Sequence, residues 1–113
     1  MKTAWTFSQG ARVVVFCNAP DDFCAQNIAR RLVNDKITAC VNILPACRSI
    51  YQWEGKLKEE NEIPLLIKTT AERISDVETT IRQLHPYEMP EIIVLPIVGG
   101  GDDYLRWVSE QCG

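Results

Sequence analysis

The stretch from Thr38 to Thr70 constrains the fold more than any other part of this 113-residue chain. It reads as two long strands joined by one tight turn. The first arm runs Thr38 to Leu44, breaks at Pro45 and resumes as Ser49-Ile50-Tyr51-Gln52-Trp53. The second runs from Leu57 to Thr69. Glu54-Gly55-Lys56 connects them, and a glycine in a three-residue connection is a hairpin signal, because it takes left-handed geometry without steric cost. Each arm exceeds the usual strand of about 5–6 residues, so the pair should project past the sheet of a small domain. Its tip then exposes Tyr51 and Trp53 unless another chain covers them. An oligomer is therefore expected before any chemistry is considered.

The flanking segments supply the rest of the fold. Residues 1–10 are polar and aperiodic, and a loose leader is expected there. Arg12 to Cys17 is a β-branched run suited to a central strand. Asn18-Ala19-Pro20-Asp21-Asp22 breaks it. Ala25, Ile28, Ala29, Leu32 and Val33 then recur at helical spacing, which predicts an amphipathic helix over roughly residues 21–35. Ile74, Val77, Ile81 and Leu84 predict a second helix, with Thr70 as N-cap and His85-Pro86 as stop. Glu91 to Val98 reads as a last strand. Asp102 or Asp103 caps a short final helix bearing Tyr104, Leu105, Trp107 and Val108. Pro45 suits an edge or a bulge; Pro64 is expected at a bulge, or where its arm leaves the main sheet. The order predicts an α+β chain: one ferredoxin-like split βαβ domain (βαββαβ) over residues 1–113, with an extra C-terminal helix. Both long helices should cover one face of the sheet. The other face needs a second or third copy of the chain.

The formal charge of −3 argues against nucleic acid as a partner, since phosphate binding wants a basic face. No apolar run approaches the ~20 residues of a membrane helix, so no membrane contact is expected. The first residues lack the apolar core of a signal peptide, which predicts a cytoplasmic protein. The five cysteines, Cys17, Cys24, Cys40, Cys47 and Cys112, include no C-x-x-C pair. Free thiols are the default in the cytoplasm. Cys17 and Cys40 read as packed strand residues, Cys24 and Cys112 as incidental surface thiols.

Five motifs stand in one order: Ala39-Cys40-Val41-Asn42-Ile43-Leu44-Pro45, Ser49-Ile50-Tyr51-Gln52-Trp53-Glu54-Gly55-Lys56, Ile67-Lys68-Thr69, His85-Pro86-Tyr87-Glu88 and Tyr104-Leu105-Arg106-Trp107. Together they closely resemble the CutA divalent-cation tolerance family, over about residues 11 to 110. The resemblance implies a trimer of ferredoxin-like subunits similar to the PII-type signalling proteins, and a role in tolerance of copper and other divalent metals. It also implies a metal-ligand set: Cys17 at the end of the first strand, His85 before the Pro-Tyr pair, and Glu62 late in the hairpin. Thiolate and imidazole suit copper or zinc. Some bacterial members carry two successive histidines before the proline; Leu84 stands at the first of these positions here, which removes one nitrogen donor. The plainer reading, which the residues favour, makes Cys17 a buried strand thiol and His85 a helix-end residue donating to the last carbonyls. Because the ends of the first strand and second helix need not share a sheet edge, a joint site would draw on two subunits.

Tyr51 and Trp53 are expected to anchor an interface, where aromatics bury much area at low entropy cost; stacking on a ligand is the alternative. The segment His85 to Glu91 lines an inter-subunit pocket or simply stiffens a connection. Lys56, Lys58, Glu59, Glu60 and Glu62 read most simply as a solvated flank that blocks edge pairing. Gly99-Gly100-Gly101-Asp102 matches neither phosphate-binding pattern, and a single histidine leaves no catalytic set, so no enzyme is expected. Two functions remain: a metal-binding tolerance protein, or a PII-like trimer that takes a small ligand or partner protein in inter-subunit clefts.

Overall fold

A computed structural model describes residues 7–113. The centre of the sheet is β1 (Arg12–Ala19), flanked by β4 (Lys56–Thr70) and β5 (Ile92–Pro96), both antiparallel to it. β2 (Cys40–Ile43) pairs with the far side of β4, giving the order β2-β4-β1-β5. β3 (Cys47–Trp53) pairs with β4 beyond the end of β1. β2 and β3 are thus the two halves of the interrupted first arm, and the sheet has the ferredoxin-like order. β1 runs two residues further than its apolar run predicts, because Asn18 and Ala19 still pair with Pro64 and Ile63.

Alternation along β1 and β4 separates the faces. Val13, Val15, Cys17, Ala19, Leu65 and Ile67 are buried and form one cluster with residues of α1 (Asp22–Asn34) and α2 (Ile74–Leu84). Asp21 caps α1 by accepting from the Cys24 N–H at 2.8 Å. The buried stripe of α1 is Cys24, Ala25, Ile28, Ala29 and Leu32. Val33, expected inside, is exposed, and Cys24, expected on the surface, is buried in its stead. α1 ends in a Schellman turn: the Lys36 N–H reaches Val33 O and the Ile37 N–H reaches Leu32 O. Lys36 takes φ 58° there, where glycine is usual.

The opposite face carries Val14, Phe16, Leu66, Ile93 and Leu95, in register across β4, β1 and β5. Ile93 and Leu95 are 46% and 48% exposed. α3 (Asp102–Gln111) lies against β4 and β1, burying Leu105 and Val108.

Further details differ from expectation. Gly101, not Asp102 or Asp103, is the N-cap of α3, and both acids lie in its first turn. The hairpin connection has two residues, since Trp53 pairs with Lys56; Glu54 and Gly55 both take positive φ, 52° and 77°, which is a type I′ turn. Thr70 makes no capping hydrogen bond, because a 3₁₀ turn (Ala71–Arg73) intervenes before α2. Pro64 needs no bulge: its carbonyl accepts from the Leu44 N–H at 2.9 Å, and its missing N–H faces the gap that Pro45 leaves between β2 and β3. Of the leader expected over residues 1–10, residues 1–6 lie outside the described residues. Phe7 packs on the core, and the Gly10 N–H donates to Glu72 Oε2 at 2.7 Å.

Candidate functional site

The chemistry-bearing side chains gather where β1 ends. Cys17 is fully buried on the helix-covered face, and its thiol points to Asn18 O at 3.8 Å. His85 caps the C-terminus of α2. Pro86 forces it out of helical geometry, and its extended backbone (φ −88°, ψ 132°) turns the ring back to the sheet. The His85 Nε2 lies 2.7 Å from Asn18 O, the same carbonyl oxygen. Thiol and imidazole therefore converge within one chain, so no second subunit is needed to bring them together.

His85 is only 6% exposed, and both ring nitrogens are engaged. The Tyr87 N–H donates to Nδ1 at 3.1 Å, which makes Nδ1 the acceptor and assigns the proton to Nε2. The ring is thus the neutral Nε2–H tautomer, and Tyr87 packs edge-on against it at 4.7 Å. A metal at either nitrogen has to displace one of these bonds.

Glu62 lies on β4 and is only 8% exposed, not part of the solvated flank expected for it. Its charge reaches Cys17, Tyr51 and Tyr87. Burial pushes the Cys17 thiol up to about 12, and Cys24, Glu91 and Glu62 add to the effect in that order. Asn18 Oδ1 is buried without a partner, while its Nδ2 reaches Glu91 Oε1 at 3.5 Å. Tyr51 Oη donates to Glu60 at 3.3 Å, and Tyr51 and Trp53 stand exposed on the outer hairpin.

Cys24 is the residue that sequence reasoning missed. It sits in the first turn of α1, buried, with its thiol 3.7 Å from Leu84 O, one residue before His85. The one available signal was its position beside Ala25 in the helical stripe. Among the described residues no three His, Cys, Asp or Glu side chains are arranged to hold a metal ion. Cys17 and His85 fit copper by donor chemistry, but the set of Cys17, His85 and Glu62 is not assembled as ligands. No helix is long and apolar enough to cross a membrane.

The chain is similar to known proteins over almost its whole length. Residues 13–111 match the family described as CutA1 divalent ion tolerance protein. The divalent-cation tolerance protein CutA of Pectobacterium atrosepticum is 46% identical over 97 residues, covering 86% of this chain and 88% of that protein. The structure of the periplasmic divalent cation tolerance protein CutA from Archaeoglobus fulgidus superposes with a TM-score of 0.87 at 32% identity, covering 90% and 99% of the two chains. The PII-like protein CutA from Nostoc sp. PCC 7120 gives 0.83 at 32%, covering 89% and 97%. Sheet order, the split hairpin arm and these likenesses agree, and the chain belongs to the CutA1 divalent ion tolerance family.

Proposed function

We propose that the chain is a homotrimeric divalent-cation tolerance protein that takes copper in the niche at the end of β1. The observation that carries this reading is the convergence of the Cys17 thiol and the His85 imidazole on one carbonyl oxygen. Cys17, His85 and Glu62 are the proposed ligand set. Sulfur and nitrogen donors prefer copper to magnesium or calcium, which want oxygen. His85 has to turn away from Asn18 O or from the Tyr87 amide to ligate, so affinity is limited by that rearrangement. No enzymatic step is part of the reading. We place the protein in the cytoplasm, on the strength of five unpaired cysteines.

Copper titration of untagged protein against a weak competing chelator tests the site. Cys17→Ser and His85→Ala should each weaken binding about tenfold, the usual effect of losing a supporting group at a metal site. Equal affinities for all three proteins would reject the site.

A second reading is favoured by one observation, the Glu62 charge that reaches both Tyr51 and Tyr87. In a PII-like trimer these three residues would line an inter-subunit cleft that takes a small ligand or a partner protein. Co-purification of a stoichiometric organic molecule would support it.

A further inference from the structure

Strand alternation sets Asn18 on the opposite face of β1 from Cys17, the face that α1 and α2 leave open. Asn18 pairs with Pro64 of β4. Glu62 and Glu60 therefore follow on that same face at two-residue steps of about 6–7 Å. Glu91, the residue before β5, meets Asn18 from the other side, with its Oε1 3.5 Å from the Asn18 Nδ2. Tyr51 Oη donates to Glu60 at 3.3 Å and closes the row toward the hairpin tip. Lys58 stands across from Tyr51, exposed, and marks the outer end. Asn18 is 6% exposed, and its Oδ1 is buried without a donor. The row is thus a line of acceptors, and its own amide and hydroxyl donors are already directed at carboxylates.

We propose that this row binds a linear aliphatic polyamine, with ammonium groups at Glu62 and Glu60 and the inner one supplying the donor that Asn18 Oδ1 lacks. The proposal deepens the cleft reading above and rests on it; it involves neither Cys17 nor His85. Carboxylates two residues apart on a strand do not share one metal ion, whose oxygen ligands stand at about 2.0–2.6 Å. In keeping with this, no three such side chains are arranged for a metal ion among the described residues. Ammonium groups joined by three or four methylenes match the two-residue step. They remain protonated at neutral pH, since alkylamines titrate near about 10, and they form charge-assisted hydrogen bonds to carboxylates.

The two tyrosines suit the same ligand. Tyr51 and Tyr87 are 38% and 36% exposed, and an ammonium group is attracted to the face of such a ring. Burial, then Glu62 and Glu60, raise the Tyr87 hydroxyl above its ordinary range; desolvation, then Glu60 and Glu62, raise that of Tyr51. Both rings feel the same two carboxylates, and a bound polycation offsets that charge.

The test is isothermal titration of untagged, metal-free, full-length protein at low salt. Spermidine, putrescine, n-butylamine and magnesium are the probes. Spermidine should bind once per chain, about tenfold more tightly than n-butylamine or magnesium. Glu62→Gln and Glu91→Gln should each weaken it about tenfold, the loss expected for one hydrogen bond to a charged group. Asn18→Asp adds a charge at the buried acceptor and should tighten binding, which a merely structural asparagine would not do. Glu59→Gln, on the other face of the hairpin, should change affinity by less than about twofold, because an exposed acid contributes little. Equal weakening by Glu59→Gln, or equal affinity for magnesium, would show a diffuse charge effect and overturn the proposal. A purified organic ligand that spermidine does not displace would also overturn it and leave the cleft reading standing. No retained molecule and no spermidine binding would overturn both. If Glu62→Gln fails to assemble by light scattering, Glu91→Gln and Glu60→Gln decide the test.

Discussion

Two single residues are strained for a purpose that a better residue would serve at less cost. Glu54 has φ 52° at the first position of the type I′ turn, and Lys36 has φ 58° at the end of α1. A Cβ in the left-handed region costs roughly 1 kcal/mol. Glu54→Asn and Lys36→Gly should each raise unfolding stability by about 0.5–1 kcal/mol, read as a higher denaturation midpoint at fixed protein concentration. No change in either would mean that neighbouring contacts already offset the strain. Cys17 makes a second residue-scale prediction. Its folded pKa lies above the ordinary 9.0, at about 12, so the folded state holds the proton more tightly. Its contribution to stability is complete below pH 9 and is lost as pH rises toward 12. Three pKa units correspond to about 4 kcal/mol as an upper figure. Mass mapping after alkylation of native protein at pH 8 should find the half-buried Cys40, Cys47 and Cys112 labelled before Cys17. Early labelling of Cys17 would contradict its assigned burial.

The element that sets the shape is the hairpin. β4 has 15 residues, on the order of 45–50 Å at the usual rise, against a longest molecular dimension of 45 Å. Its outer half pairs only with β3, on which Tyr51 and Trp53 stand exposed. Trp53→Ala should weaken assembly, by about 2 kcal/mol if the residue is an interface anchor, while the far-ultraviolet circular dichroism of the subunit stays unchanged. A variant that keeps both its oligomeric mass and its melting temperature would show that Trp53 anchors nothing. This hairpin, both long helices and the sheet order were legible in the sequence, because period and turn residues are local signals. Boundaries that depend on packing were not. Cys24 and Val33 lie at the two margins of one helical stripe, and periodicity alone does not choose between them; the close approach of α1 to the end of α2 does. The niche was half legible. Resemblance pointed to Cys17, His85 and Glu62, but the shared carbonyl of Asn18 is a backbone atom, and no side-chain pattern announces it.

At the scale of the whole molecule, one sheet face is covered by α1 and α2 while Phe16, Leu66, Ile93 and Leu95 line the other. Such a face, next to an overlong hairpin, is what the proposed trimer would cover. Closed rotational assembly satisfies both features, because each hairpin then lies along a neighbour and no edge remains for open-ended growth. Leu95→Glu places a charge on that face, on the edge strand β5, and should dissociate the proposed assembly, with a lower melting temperature that depends on protein concentration. An unchanged mass and melting temperature would put the interface elsewhere. The most direct measurement is the solution mass of the untagged, metal-free protein by light scattering at micromolar concentration. The account predicts three times the chain mass of 12.8 kDa; a stable species of one chain mass would contradict it.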